Sequence, residues 1–446
     1  MEITYNAVYP GPIWLGLLIL FCVYTVMRGR PEWAVGMFFA ISGWNRNLWF
    51  GPFVHTYVVL AVIYLAACVD VQSRLARGER VELLPRHDKP ILIFILCWWL
   101  WQILLLQLFD AWNMPAIRRN LVLLIIVALP PILVFANNVR RLAGFATAYT
   151  ATTIAGGWIA LAAHDIPLTA LLTDPGLNSY GLTNLGVANY HAIAWTFGCA
   201  LILTMAQYLQ SRTLHAQLFL LGTAALLTQF LLLSLSRQSM AGAVICVVIF
   251  GIWALFSRNT SKPRVVTMVT GVILLVIAVY QIAPHLVVRQ DEAGLLQAFD
   301  LVGERSVYWQ TGWQAFVNSP LWGSGFTTPY SHNLALGTMA EQGLVGLFFL
   351  LGYFYFVLRQ ARAIVSDRGD DERAVWRVAF FLVVIFFVIH SMASGTTTNG
   401  RHLYWAGILL WFQSELVHPA RAPHVPMPTR LVAPRPPRLL RGSASD

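Results

Sequence analysis

Charge is what this sequence has least of. Asp, Glu, Lys and Arg together make up 11% of the residues, against about 25% in a soluble globular domain. That scarcity excludes an ordinary soluble fold. Strand-like alternation of apolar and polar residues is also absent, which argues against a β-barrel. Cysteine is sparse: Cys22, Cys68, Cys97, Cys199 and Cys246 are the five. None sits in a CxxC pair or a Cys/His cluster, and all lie inside apolar spans. They read as small hydrophobes, with no metal or redox centre implied. GxxxxGK[ST], HExxH and GxSxG are missing, so the markers of a P-loop, a zincin and a nucleophile elbow are not there. The first apolar span has no basic segment ahead of it, which argues against a cleaved signal peptide.

What is present is hydrophobicity, at 57% of the residues. Apolar runs recur near 12–27, 31–43, 53–69, 90–109, 120–136, 143–162, 187–209, 215–233, 239–256, 265–283, 336–358, 378–390 and 403–417. At about 20 residues per crossing this is roughly a dozen transmembrane helices. The expected class is an all-α polytopic integral membrane protein. The helix count stays open between 12 and 13, because the first two and last two runs are short.

The basic segments at 70–89, 257–264, 359–377 and 418–446 belong together on the cytoplasmic side. The loops at 42–52, 110–119, 163–186, 284–335 and 391–402 then face outward. Topology thus accounts for much of the net charge of +10. No basic domain or binding motif supports a nucleic-acid partner. Residues 1–417 form one transmembrane domain, and the Pro- and Arg-rich segment 418–446 reads as a disordered cytoplasmic tail. The tail is read first as a solvated topology anchor, with contact to anionic lipid heads as the alternative.

The outward stretch 284–335 is the one long polar segment between apolar spans. It carries GERSVYW at 303–309, a Pro- and Gly-bearing turn NSPLWGSGF at 318–326, and SHNLALGTMAEQGLVGL at 331–347 leading into the next span. Arg289, Arg305 and His332 are its candidate functional residues. His332 falls at or before a helix N-terminus that Ser331 or Asn333 is placed to cap. Arginine forks suit phosphate oxygens, a helix N-terminus adds free N–H groups, and a histidine takes up a proton near neutral pH. A snorkelling role is the plain alternative for each arginine, and a capping role for His332. Arg237 in SLSRQSM lies on the outer side, where the positive-inside rule does not explain it. Arg46 stands out more weakly in SGWNRNLWFGP, as do Arg118, Arg119, Arg401 and His402. Asp291, Glu292, Asp300 and Glu304 flank the loop arginines.

In this order, SLSR at 234–237, GER with Trp309, PLWGSGF at 320–326 and HN with AEQGLVGL at 332–347 resemble the signature of the O-antigen ligase and polymerase superfamily. The resemblance implies a GT-C-like helical fold in the bacterial inner membrane, with one large periplasmic loop, a periplasmic active site and a cytoplasmic C-terminus. It implies a glycan donor on undecaprenyl pyrophosphate and a lipid A–core acceptor, with no ATP, metal or other cofactor. By motif position, His332 takes the place of the family's essential histidine. Arg237, Arg289 and Arg305 take those of its phosphate-binding arginines. Arg46 and Asn333 are candidate pyrophosphate contacts by their own outward positions, without a matching family motif. A polymerase shares the donor, and a protein-glycosylating ligase is a third option. A secondary transporter is the rival from another class. It predicts ionisable groups near the bilayer midplane, whereas the polar residues here gather on one face.

Overall fold

The computed structural model describes residues 19–25, 27–41, 54–79, 89–109, 141–162, 190–234, 236–258, 260–282, 295–327, 331–366, 373–394 and 410. They form helices throughout, with no strand among the described residues. In chain order these are α1 (Pro31–Ile41), α2 (Val54–Ala76), α3 (Lys89–Leu108), α4 (Arg141–Ala162), α5 (Tyr190–Gln210) and α6 (Leu214–Leu233). They continue with α7 (Arg237–Phe256), α8 (Lys262–Ile282), α9 (Leu295–Asn318), α10 (Leu334–Ser366) and α11 (Arg373–Ser394). A 3-10 turn spans Gly325–Thr327. Among the described residues, six helices are long and apolar enough to cross a membrane: α3, α5, α6, α7, α10 and α11. The chain is a multi-pass helical membrane protein. The expected spans near 120–136 and 403–417 and the tail 418–446 lie outside the described residues, apart from Leu410.

Helix α5 is the hub. It packs against α4, α6, α7, α8 and α11, and it is buried along nearly its whole length. α7 shows what the solvent on the outside is. Ala243, Cys246, Val247 and Phe250 face the core, yet the opposite face exposes Val244, Ile245, Val248 and Ile252. A helix apolar on all sides is built for lipid.

At one end, α1, α2 and α4 are tied by a buried ion cluster. Arg141 holds Asp70 with two parallel bonds of 2.6 and 2.7 Å. Its Nε also lies 3.7 Å from a carboxylate oxygen of Glu32. At the end of α2, Arg74 in its last turn and Arg77 just beyond each donate to Glu79 at 3.0 Å. These bonds, that from Arg74 foremost, hold the Glu79 carboxyl below the usual carboxylate range.

The structure departs from the sequence reading in the polar segment 284–335. It is not a plain loop: Leu295–Asn318 is a helix of 24 residues. Leu295, Phe299, Val302, Trp309, Trp313 and Phe316 recur at helical spacing. Polar residues between them keep the segment below the hydropathy of a span, so a search for spans passes over it. The expected turn at 318–326 does follow α9, and the expected helix start beside His332 is where α10 begins.

Candidate functional site

The site is assembled from α9, the glycine turn and the beginning of α10. Its central feature is a break in α10. Gly343 stands at φ +63° and ψ −156° inside the helix, a conformation essentially reserved for glycine. There the helical bond from Leu344 N–H to the Ala340 carbonyl is lost, and the turn supplies replacements. The Ser324 N–H donates to the Ala340 oxygen at 2.8 Å, and the Leu344 N–H donates to the Pro320 oxygen at 2.8 Å. Ser324 Oγ donates to the same Ala340 oxygen at 3.0 Å. Both groups freed by the break are satisfied, as buried backbone requires. The turn approaches so closely that a Cβ on Gly323 would lie 2.5 Å from the Gln342 nitrogen. On the other side of the break, Gln342 Oε1 accepts from Trp98 Nε1 of α3 at 3.0 Å. Trp101 and Trp322 sit with ring centres 5.5 Å apart. The turn is thus clamped between α3 and α10.

His332 sits two residues before α10, and its backbone is left-handed, at φ +52°. Positive φ is uncommon outside glycine and clusters at functional positions. The turn it imposes brings the half-buried imidazole edge-on to the Tyr308 ring of α9, with centres 5.2 Å apart. Asn333 is the cap: its Oδ1 accepts from the Leu336 N–H at 3.0 Å. Ser331 does not cap the helix. Its hydroxyl donates to the Asn333 carbonyl at 3.0 Å and so fixes the bend from the other side. Gly312 of α9 lets this bend come close, since a Cβ there would stand 3.2 Å from Leu336 and 3.4 Å from Ser331.

The other expected site residues divide by position. Arg305 belongs to α9, one turn before Tyr308, and positions 305, 308 and 312 share one helical register. Arg237 is the first residue of α7. α7 and α11 are antiparallel neighbours, and only residues 367–372 separate α10 from α11. The start of α7 therefore lies at the same end of the bundle as the start of α10. Arg289 and Arg46, like Arg118, Arg119, Arg401, His402, Asp291 and Glu292, lie outside the described residues. Tyr308 stands inside the GERSVYW segment, but no sequence rule singled it out. Also missed was His390 on α11, buried and bonded to Ser239 of α7 at 2.9 Å. Its signal was legible: an ionisable residue inside an apolar span is a functional candidate by default.

The comparison with known proteins reaches this same assembly. Residues 222–351 match the family described as O-antigen ligase. The matched stretch is less than half of the chain. It runs from within α6 past the break in α10, so it contains the start of α7, all of α9, the glycine turn and His332. No curated protein matches the chain.

Proposed function

We propose that this protein is an O-antigen ligase of the bacterial inner membrane. It moves a glycan from undecaprenyl pyrophosphate to a sugar hydroxyl of lipid A–core on the periplasmic face, without ATP or metal. The single observation that carries the reading is the left-handed His332, set at the start of α10 against Tyr308 of the helix that bears Arg305. A histidine held at a helix entrance, within a family domain of this kind, suits proton transfer at a membrane boundary. The whole chain is read as a GT-C-like bundle of about a dozen spans, with its C-terminus in the cytoplasm.

The reaction is one in-line displacement. The acceptor hydroxyl oxygen forms a bond to the anomeric carbon as the bond from that carbon to the pyrophosphate oxygen breaks. His332 takes the hydroxyl proton, and the electron pair leaves with the pyrophosphate. Arg237, Arg289 and Arg305 hold that growing charge, and Arg46 and Asn333 complete the binding set. Attack opposite the leaving group inverts the anomeric centre.

The test is transfer in vitro. Purified protein is mixed with undecaprenyl-pyrophosphate glycan and lipid A–core, and the lipopolysaccharide is resolved on a gel. A slower lipopolysaccharide band that His332→Ala reduces by about 10²- to 10⁴-fold supports the ligase and the base. Longer lipid-linked glycan with unmodified core makes the protein a polymerase. No transfer to either acceptor by folded protein reopens the transporter reading.

A further inference from the structure

α7 and α11 are antiparallel and in tight register. Cys246 Sγ donates to the Leu382 carbonyl at 3.4 Å. One turn nearer the His332 end, a Cβ on Gly242 would stand 3.2 Å from the Phe386 ring, so glycine lets the two helices close up. One turn further on, Ser239 Oγ meets His390 Nδ1 at 2.9 Å. Ser236 Oγ donates to Ser239 Oγ at 2.9 Å. All three side chains are buried: Ser236 is 1%, Ser239 0% and His390 2% exposed.

This chain of bonds has a direction. Ser239 accepts from Ser236, which leaves its own proton and a second lone pair for the bond to Nδ1. The chain of bonds also occupies the residue next to Arg237. Ser236 stands at the cap position of α7, yet its side chain caps no N–H of that helix. Its hydroxyl is committed to Ser239. The first turn of α7 is therefore anchored sideways to α11. An apolar side chain at position 390 would fill the same space without burying polar atoms, which cost free energy unless bonded.

We propose that His390 is a positioning residue: through Ser239 and Ser236 it fixes the backbone turn that carries Arg237. The inference rests on the role given to Arg237 above.

The experiment is steady-state transfer by the purified full chain with undecaprenyl-pyrophosphate glycan and lipid A–core. His390→Phe is expected to lower kcat by about ten- to a hundred-fold, the rate equivalent of one buried hydrogen bond, with KM for lipid A–core unchanged. Ser239→Ala, a minimal change that keeps the fold, is expected to fall as far. His390→Asn puts an amide oxygen where Nδ1 stood and is expected to recover most of the rate. Combined with Arg237→Lys, His390→Phe is expected to add no further loss, because both act on one group. Full kcat in Ser239→Ala and His390→Phe overturns the proposal, as does a His390→Asn no better than Phe. So do losses that multiply with Arg237→Lys. If Arg237→Ala itself transfers at the wild-type rate, the reading of Arg237 falls, and this proposal with it. If Arg237→Ala is slow while both network variants are unimpaired, only the role of His390 falls.

Discussion

At position 332 the side chain has two duties, and substitutions separate them. One is conformational: φ +52° starts the bend into α10. The other is the proton transfer proposed above. Asparagine tolerates the left-handed region at least as readily as histidine but is no base at neutral pH. His332→Asn is expected to keep the thermal midpoint of the wild type and to lose about 10²- to 10⁴-fold in transfer. A midpoint that falls with the rate would show that the histidine serves the bend alone. Asn333 offers the same separation. Its Oδ1 caps α10, so Asn333→Ala is expected to cost about 1 kcal/mol in unfolding experiments. Asn333→Asp keeps a capping oxygen and is expected to hold stability. It brings a negative charge to the proposed pyrophosphate site, so the KM for the donor is expected to rise. At this scale the sequence was informative where a residue has a fixed chemical habit. An Asn before a helix caps, and a His at a helix entrance marks a boundary. Tyr308 was not legible, because its role comes from a ring contact made across the bend by another helix.

Among the elements, the broken helix α10 is where sequence and structure diverge most instructively. From Leu334 to Ser366 the hydropathy pattern reads as one span with a polar start. It gives no sign that the break at Gly343 hands the bonds of the Ala340 carbonyl and the Leu344 N–H to a turn some 20 residues earlier. The turn itself was legible from its Pro and Gly residues. Its partner was not, because backbone groups rather than side chains make the contact. Gly343→Ala tests the joint. The backbone there is forbidden to alanine, and a Cβ would run into the Leu321 carbonyl. A loss of several kcal/mol is expected, beginning with about 1–3 kcal/mol of backbone strain. It is read as a lower detergent-solubilised melting point together with loss of transfer. Ser324→Ala removes only the hydroxyl bond and leaves the N–H bond, so about 1 kcal/mol is expected. Equal losses from the two variants would mean that the close approach at Gly343 is not what holds the turn in place.

Across the whole molecule, the bundle separates its polar ends. Helix α3 spans that separation. Its far end brings Phe109 against Gly325 of the turn, while its first residue, Lys89, follows shortly on the end of α2. At 1.5 Å per residue, its 20 residues put these ends about 30 Å apart. The Asp70–Arg141–Glu32 cluster lies at the opposite end from His332: Arg141 begins α4 beside the end of α5, where Gln207 reaches the Ala143 carbonyl and Arg264 at the start of α8 meets the Ser211 carbonyl. The sequence reading placed a basic loop at 70–89 there and took its charges as a topology signal. It did not find the cluster, because Arg141 meets Asp70 across 71 positions of sequence. Distance from the site makes the cluster a clean test of stability against function. Asp70 and Arg141 are 7% and 10% exposed. Removing one partner leaves the other charge buried, at a cost of about 3–5 kcal/mol, whereas replacing both by apolar residues of similar size is close to neutral. Asp70→Leu is expected to melt well below the wild type, and Asp70→Leu with Arg141→Met to regain most of that loss, save what Glu32 still requires. Below their melting points, both are expected to transfer at the wild-type rate, because the His332 end does not depend on the cluster. A double variant that is stable but slow would mean that packing at the far end reaches the site through α3.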